Sequence, residues 1–168
     1  MAELTPNMII KLTNGKSCRV IEELGRGGQG IVYKVDYDGA PFALKWYISE
    51  CKSAFYANLE NNVKNGAPNA SFLWPLAITS PNQYGSFGYI MKLRPKGYEE
   101  IGAFMLAKTH FSSPKALIEA ALQICSAFQK LHIIGLSYQD MNDGNFFINP
   151  RTGDVLVCDN DNVAPNKV

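Results

Sequence analysis

The chain has no apolar run approaching the ~18 residues that a membrane-spanning helix needs. Its N-terminus, MAELTPN, lacks the basic stretch and apolar stretch of an export signal. Cysteine is sparse: Cys18, Cys51, Cys125 and Cys158 are widely scattered and form no C-x-x-C pair. Without an export signal they read as free thiols in a reducing compartment, so a cytoplasmic location is expected. Net charge is nearly absent as well. Sixteen Lys and Arg against 15 Asp and Glu leave a formal +1, which gives no argument for nucleic acid or an acidic membrane as partner. The 168 residues suit one domain, or two small lobes sharing a cleft, and a hydrophobic fraction of 46% can supply a core.

What is present gathers in one stretch, Leu136 to Asp161, reading LSYQDMNDGNFFINPRTGDVLVCDND. Asp140, Asn145 and Asp159 stand out in it, the last at the end of an apolar run. Between Asn145 and Asp159, two short β-prone runs flank Asn149-Pro150-Arg151-Thr152-Gly153, which has the composition of a tight hairpin. A hairpin returns the chain, so Asp159 is expected beside Asn145. Two such oxygen donors suit Mg²⁺ with a phosphate. Asp140 would stand one short loop away, placed to accept a proton from a hydroxyl. The plainer alternative is the solvated turn chemistry common in loops rich in Asp and Asn.

In the first half, Met8 to Leu12 and Ser17 to Leu24 read as strands around an Asn14-Gly15 turn. Gly25-Arg26-Gly27-Gly28-Gln29-Gly30-Ile31-Val32 follows and matches G-x-G-x-x-G-x-V. A dinucleotide-binding fold would need a helix directly after it. Instead, Ile31 to Tyr37 alternates with period two and reads as a strand. The absence of G-K-S/T excludes the other common phosphate loop. Strand, glycine turn and strand make a hairpin whose amides can close over phosphates. Asp38-Gly39 marks the next turn, and Pro41 to Tyr47 the next strand, with Lys45 among Phe42, Leu44 and Trp46. That lysine either snorkels from a strand face or is held in a cleft for anionic oxygens.

Phe55, Leu59 and Val63 have helical spacing over about Ala54 to Asn65, ended by Gly66-Ala67-Pro68, and Glu60 lies on this helix. Phe72 to Ile78 and Ser86 to Leu93 are two further strands. A short helix is expected over Tyr98 to Leu106. Ser113-Pro114 then starts a long helix that runs to about His132, with Gly135 closing it. Its polar Glu119, Gln123, Ser126 and Lys130 fall on one narrow stripe, so the helix is expected to be covered on several sides. His132 reads as structural, and no His/Cys cluster supports zinc.

Taken together, the D-x-x-x-x-N and its following Asp, the glycine run and Phe42-Ala43-Leu44-Lys45 resemble motifs of protein kinases, in particular bacterial-type Ser/Thr kinases. The resemblance implies an α+β, protein-kinase-like two-lobe fold. Residues 1–93 would form a five-stranded antiparallel sheet with one helix, and residues 94–168 an incomplete, mainly helical second lobe. ATP and Mg²⁺ are the ligands implied. Asp140 would orient the acceptor hydroxyl, Lys45 paired with Glu60 would hold the α/β-phosphates, and Asn145 and Asp159 would hold the metal. Leu24, Gly25, Gly27, Gly30, Val32, Ala43, Met91, Leu93 and Phe147 would line the nucleotide site with Lys45. Met91 would be its gatekeeper and Lys92-Leu93-Arg94 the hinge.

The motifs also depart from the family pattern. Tyr138-Gln139-Asp140 stands where H-R-D is usual, and Gln139 argues against control through a phosphorylated activation segment. Asn142 stands where Ser/Thr kinases carry a lysine, a charge whose loss costs about 10²-fold in rate when nothing replaces it. Asp159-Asn160-Asp161 replaces D-F-G, keeping the metal-binding Asp but not the Phe packing switch. The sequence ends nine residues after Asp159, without the A-P-E element and further helices of the family. Two alternatives therefore stand beside a protein kinase. One is a small-molecule kinase of the aminoglycoside-phosphotransferase type; the other is a catalytically weak, nucleotide-binding scaffold. The apolar sides of the long helix lead to an expectation of self-association through the second lobe.

Overall fold

The structure is a computed structural model and describes residues 3–166. The chain divides into two compact units. The first comprises the residues up to Gly66 together with Pro75–Leu93; the second comprises Ala67–Trp74 and the residues from Arg94 onward.

The first unit is an antiparallel sheet with one helix. Its strands are β1 (Ile9–Lys11), β2 (Ser17–Arg26), β3 (Gly30–Tyr37), β4 (Ala40–Tyr47), β5 (Ala77–Ile78) and β6 (Gly88–Met91), in the order β1-β2-β3-β4-β6-β5. The sheet therefore has six strands where five are expected. The first of them, β1, lies within the strand read over Met8 to Leu12 and folds onto β2 through a turn in which Gly15 has φ +83, pairing Ile9 with Arg19 and Ile10 with Cys18. Asp38 and Gly39 join β3 to β4 with φ of 59 and 76, a two-residue turn whose twist matches that of the flanking strands. Alternation along β4 puts Leu44 and Trp46 on one face, in a core with Ile10, Val20, Ile31 and Val35. Ala43 and Tyr47 face the other way, where the helix α1 (Ser53–Asn65) lays Leu59 and Phe55 against them. Gly66, at φ 76, ends α1, with its N–H donating to Asn62 O.

Phe72 to Ile78, expected as one strand, is broken at Pro75, which has no N–H to give a ladder. Only Ala77–Ile78 joins the six-stranded sheet. In the second unit, Phe72 bridges Val157 in parallel, Leu73 N–H donates to Val157 O at 2.9 Å, and Val157 N–H donates to Ser71 O at 2.7 Å.

The second unit pairs β10 (Val155–Val157) with β9 (Phe146–Ile148) and β9 with β7 (Glu99–Glu100), while β11 (Val163–Pro165) pairs with β8 (Leu136–Tyr138). Two helices accompany them, α2 (Ile101–Met105) and α3 (Pro114–Ile133). Ser113 caps α3 by accepting from Ala116 N–H at 3.2 Å, Pro114 occupies the first turn, and Gly135 follows it at φ 76. Four residues of α3, Ala116, Ala120, Ala127 and Leu131, are buried. The small side chains let the β9–β10 turn press close: a Cβ on Gly153 would lie 2.1 Å from Ala116 O. Gln123, one of the polar stripe, accepts from Val155 N–H at 2.9 Å and ties helix to hairpin. Leu117, Ile118 and Leu122 of this helix are exposed.

Candidate functional site

Around the glycine run, β2 and β3 pair as far as Gly25 with Val32 and Arg26 with Ile31, leaving Gly27, Gly28 and Gln29 as the hairpin tip. Gly27 N–H donates to Gly30 O at 2.9 Å and closes that tip. The glycines serve different ends. A Cβ on Gly25 or Gly28 would meet nothing within 4 Å, whereas one on Gly30 would lie 2.5 Å from Trp46 O. Gly30 is thus required by the approach of β4, and the others leave the backbone open to an incoming group.

Lys45 is 5% exposed and lies on the face of β4 shared with Ala43 and Tyr47, its Nζ 5.7 Å from the centre of the Tyr47 ring. Ala43 pairs with Met91 across β4 and β6, and both pack in one cluster with Tyr47 and Leu59, against which Val32 and Leu93 are partly buried. Four of the residues assigned to a nucleotide site are therefore brought together on the face that carries Lys45. Leu24 is 49% exposed and lies outside that cluster. Glu60 lies on α1 and is exposed. Leu59 and Asn62 are the α1 residues that turn inward instead. Helical spacing places Glu60 about 100° from Leu59, away from the buried stripe.

In the second unit the hairpin does what its sequence suggests. Val155 pairs with Ile148 and Val157 with Phe146, and Cys158 N–H donates to Asn145 O at 2.8 Å, which sets Asp159 next to Asn145 along the chain's return. Asn145 closes a 3-10 turn, Asp143–Asn145, and is 6% exposed. Its Nδ2 donates to Asp140 O at 3.0 Å and lies 3.5 Å from Asp140 Oδ2. That contact orients the Asp140 carboxylate and leaves Asn145 Oδ1 as the atom for a cation. Asn142 caps the turn, accepting from Gly144 N–H at 3.0 Å, so its side chain serves the loop's geometry. Tyr138 is buried, and its hydroxyl donates to Cys158 O at 2.6 Å. Burial and then the Asp159 carboxylate push the Tyr138 phenol well above its ordinary value, while Asn145 pulls it down. Asp140, Tyr138, Asn145 and Asp159 thus form one electrostatic cluster. Phe147 lies in a separate cluster with Leu73, Leu156 and Tyr98, the Arg94 guanidinium 3.8 Å from its ring centre.

Among the described residues, no group of three or more His, Cys, Asp and Glu could hold a metal. The oxygen-only pair of Asn145 and Asp159 fits Mg²⁺ that takes its remaining ligands from phosphate and water. The residues whose roles motif reading missed are Tyr138 and Asn160. A polar Asn three residues after an apolar strand, where the family motif has a packing residue and a buried side chain must find hydrogen bonds, was the available signal for the second.

No family model matches the chain, and no curated protein sequence does. Among solved structures, one described as the structure of vaccinia related kinase 3 is similar over 98% of this chain, with a TM-score of 0.70 and 14% identity. The chain spans 53% of that protein's length. The fold is kinase-like, mixed α/β with an antiparallel sheet. No helix among the described residues is long and apolar enough to cross a membrane.

Proposed function

We propose that the chain is an ATP- and Mg²⁺-binding kinase-type unit that transfers the γ-phosphoryl group to a Ser/Thr hydroxyl. The observation that carries this reading is the second unit's cluster: Asp140 held by Asn145 at 3.0 Å, with Asp159 returned beside Asn145 by the hairpin. In this reading Asp140 orients the acceptor hydroxyl and accepts its proton. The glycine hairpin and Lys45 bind phosphate oxygens, with Val32, Ala43, Met91 and Leu93 offering apolar surface to the base. Asn145 and Asp159 hold Mg²⁺, which when bound neutralises charge on the phosphates. A cytoplasmic setting belongs to the same proposal and rests on four cysteines scattered along the sequence without a C-x-x-C pair.

A nucleotide-binding scaffold of low activity is the second reading, and one observation favours it. Asn142 is engaged as a cap where the family places a charge. The small-molecule kinase alternative shares every group in the cluster and differs in the acceptor.

Calorimetric titration with ATP tests the binding common to all three. Mg²⁺-dependent binding is expected, and Lys45→Ala should remove most of the affinity while circular dichroism stays native. Equal affinity with and without Mg²⁺, or in the Lys45 variant, counts against the assignment. Radiolabelled phosphoryl transfer to peptides and to aminoglycosides then separates the readings.

A further inference from the structure

We propose that Tyr138 and Asn160 are positioning residues that clamp Asp159 in a left-handed conformation, fixing its carboxylate before any ligand arrives. The proposal deepens the kinase-type reading above and rests on it for the role of Asp159. Asp159 has φ 52 and ψ 47, a region in which the Cβ of an L-residue crowds its own backbone. Such a conformation persists where the neighbours hold it.

Here both neighbours are held. Cys158, just before, donates its N–H to Asn145 O at 2.8 Å, and its carbonyl accepts from the Tyr138 hydroxyl at 2.6 Å. Asn160, just after, is 0% exposed and donates from Nδ2 to Leu73 O at 2.9 Å and to Val157 O at 2.8 Å. The clamp has firm anchors. The Tyr138 ring stands 6.1 Å from both Phe128 and Phe146, and Tyr138 pairs with Val163 across β8 and β11. The chain is therefore fixed at Cys158, at Asn160 and again at Val163, with Asp159 between the first two.

Asn160 shows why an amide is there. Its Oδ1 is buried without a partner, a cost that a side chain present only for packing would not carry. The two carbonyls around Nδ2 set which way the amide points, so its contribution is the pair of donated bonds. A phenylalanine at this place could make neither. Because Cys158 also bonds to Asn145, the clamp sets the two proposed metal oxygens relative to one another.

Hydrogen exchange and calorimetry on the whole chain test this. In Tyr138→Phe and in Asn160→Leu, exchange at the Cys158 amide should quicken about tenfold, the scale of one lost hydrogen bond, with α3 amides unchanged. The gain in ATP affinity on adding Mg²⁺ should shrink by a similar factor, while Mg²⁺-free affinity stays the same. Should Asn160→Leu fail to fold, Tyr138→Phe carries the test, since it removes only the hydroxyl. Unchanged exchange at Cys158, or equal quickening throughout the second unit, overturns the clamp. Local quickening with an undiminished Mg²⁺ gain overturns its positioning role. If the variants show the local exchange effect and the parent chain shows no Mg²⁺ gain at all, the kinase-type reading falls while the clamp as a structural device stands.

Discussion

Cys18 illustrates how burial sets the chemistry of a single side chain. It is 2% exposed in the core of the first unit, and burial pushes its thiol from 9.0 up to about 12. The folded value lies above the unfolded one, so the folded chain holds the proton more tightly. The stability linked to this group is complete below pH 9 and is lost as the pH climbs from 9 to 12. Tyr98, raised to about 12 by burial and by its hydrogen bond to Asp154, acts in the same direction over the upper part of that window. Chemical denaturation at a series of alkaline pH values should show stability falling above pH 9, with a shallower fall in Cys18→Ala. Parallel profiles for the two proteins would mean that ionisation of Cys18 is not linked to unfolding. The same burial makes Lys45 readable only in part from sequence. An apolar strand around a lysine shows that the residue sits in a core, but only the packing of β4 shows that it shares its face with Ala43 and Tyr47.

Among elements, those announced by local chemistry were legible, and those decided by distant partners were not. Asp38-Gly39, the Ser113-Pro114 cap and the Asn149–Gly153 turn each specify a backbone geometry within a few residues, and each stands where the sequence places it. Phe72 to Trp74 has the same β-prone composition as β5, and its partner, Val157, lies far along the chain. Nothing local assigns that segment to the second unit. Glu60 is a related case: an acid on a helix near a lysine strand fits a family pattern, while the turn of α1, set by Leu59 and Asn62, leaves it exposed. The glycine hairpin allows a sharper test, because its glycines have separable roles. Gly30→Ala drives a Cβ to 2.5 Å from Trp46 O and should destabilise by about 2 kcal/mol or more. Gly27→Ala has its nearest atom at 4.0 Å and should leave stability within about 0.5 kcal/mol, while weakening ATP binding. Urea denaturation and calorimetry on both variants check this, and an unaffected affinity in folded Gly27→Ala would remove the hairpin tip from the binding site.

On the scale of the whole molecule, the outward side of α3 is what the fold leaves unresolved. Leu117, Ile118 and Leu122 are 52, 59 and 61% exposed, and Cys125 is exposed one turn further along. Helical spacing puts Ile118, Leu122 and Cys125 on the side opposite the Ala116, Ala120 and Ala127 stripe, with Leu117 at the flank of that stripe. Covering three such side chains with a second copy removes apolar surface worth about 25 cal/mol per Å². A net charge of +1 offers little long-range repulsion between copies. A two-fold pairing of α3 with α3 is therefore the expected association, since one self-complementary patch satisfies both partners. Leu122→Lys places a charge at the middle of that patch, where the side chain is already solvent-exposed, so it should not disturb the fold. Light scattering over a concentration series should show the parent chain associating and Leu122→Lys remaining monomeric with the same melting temperature. A parent chain that stays a monodisperse monomer at high concentration, and does not bind hydrophobic dyes, would show that water alone covers this face.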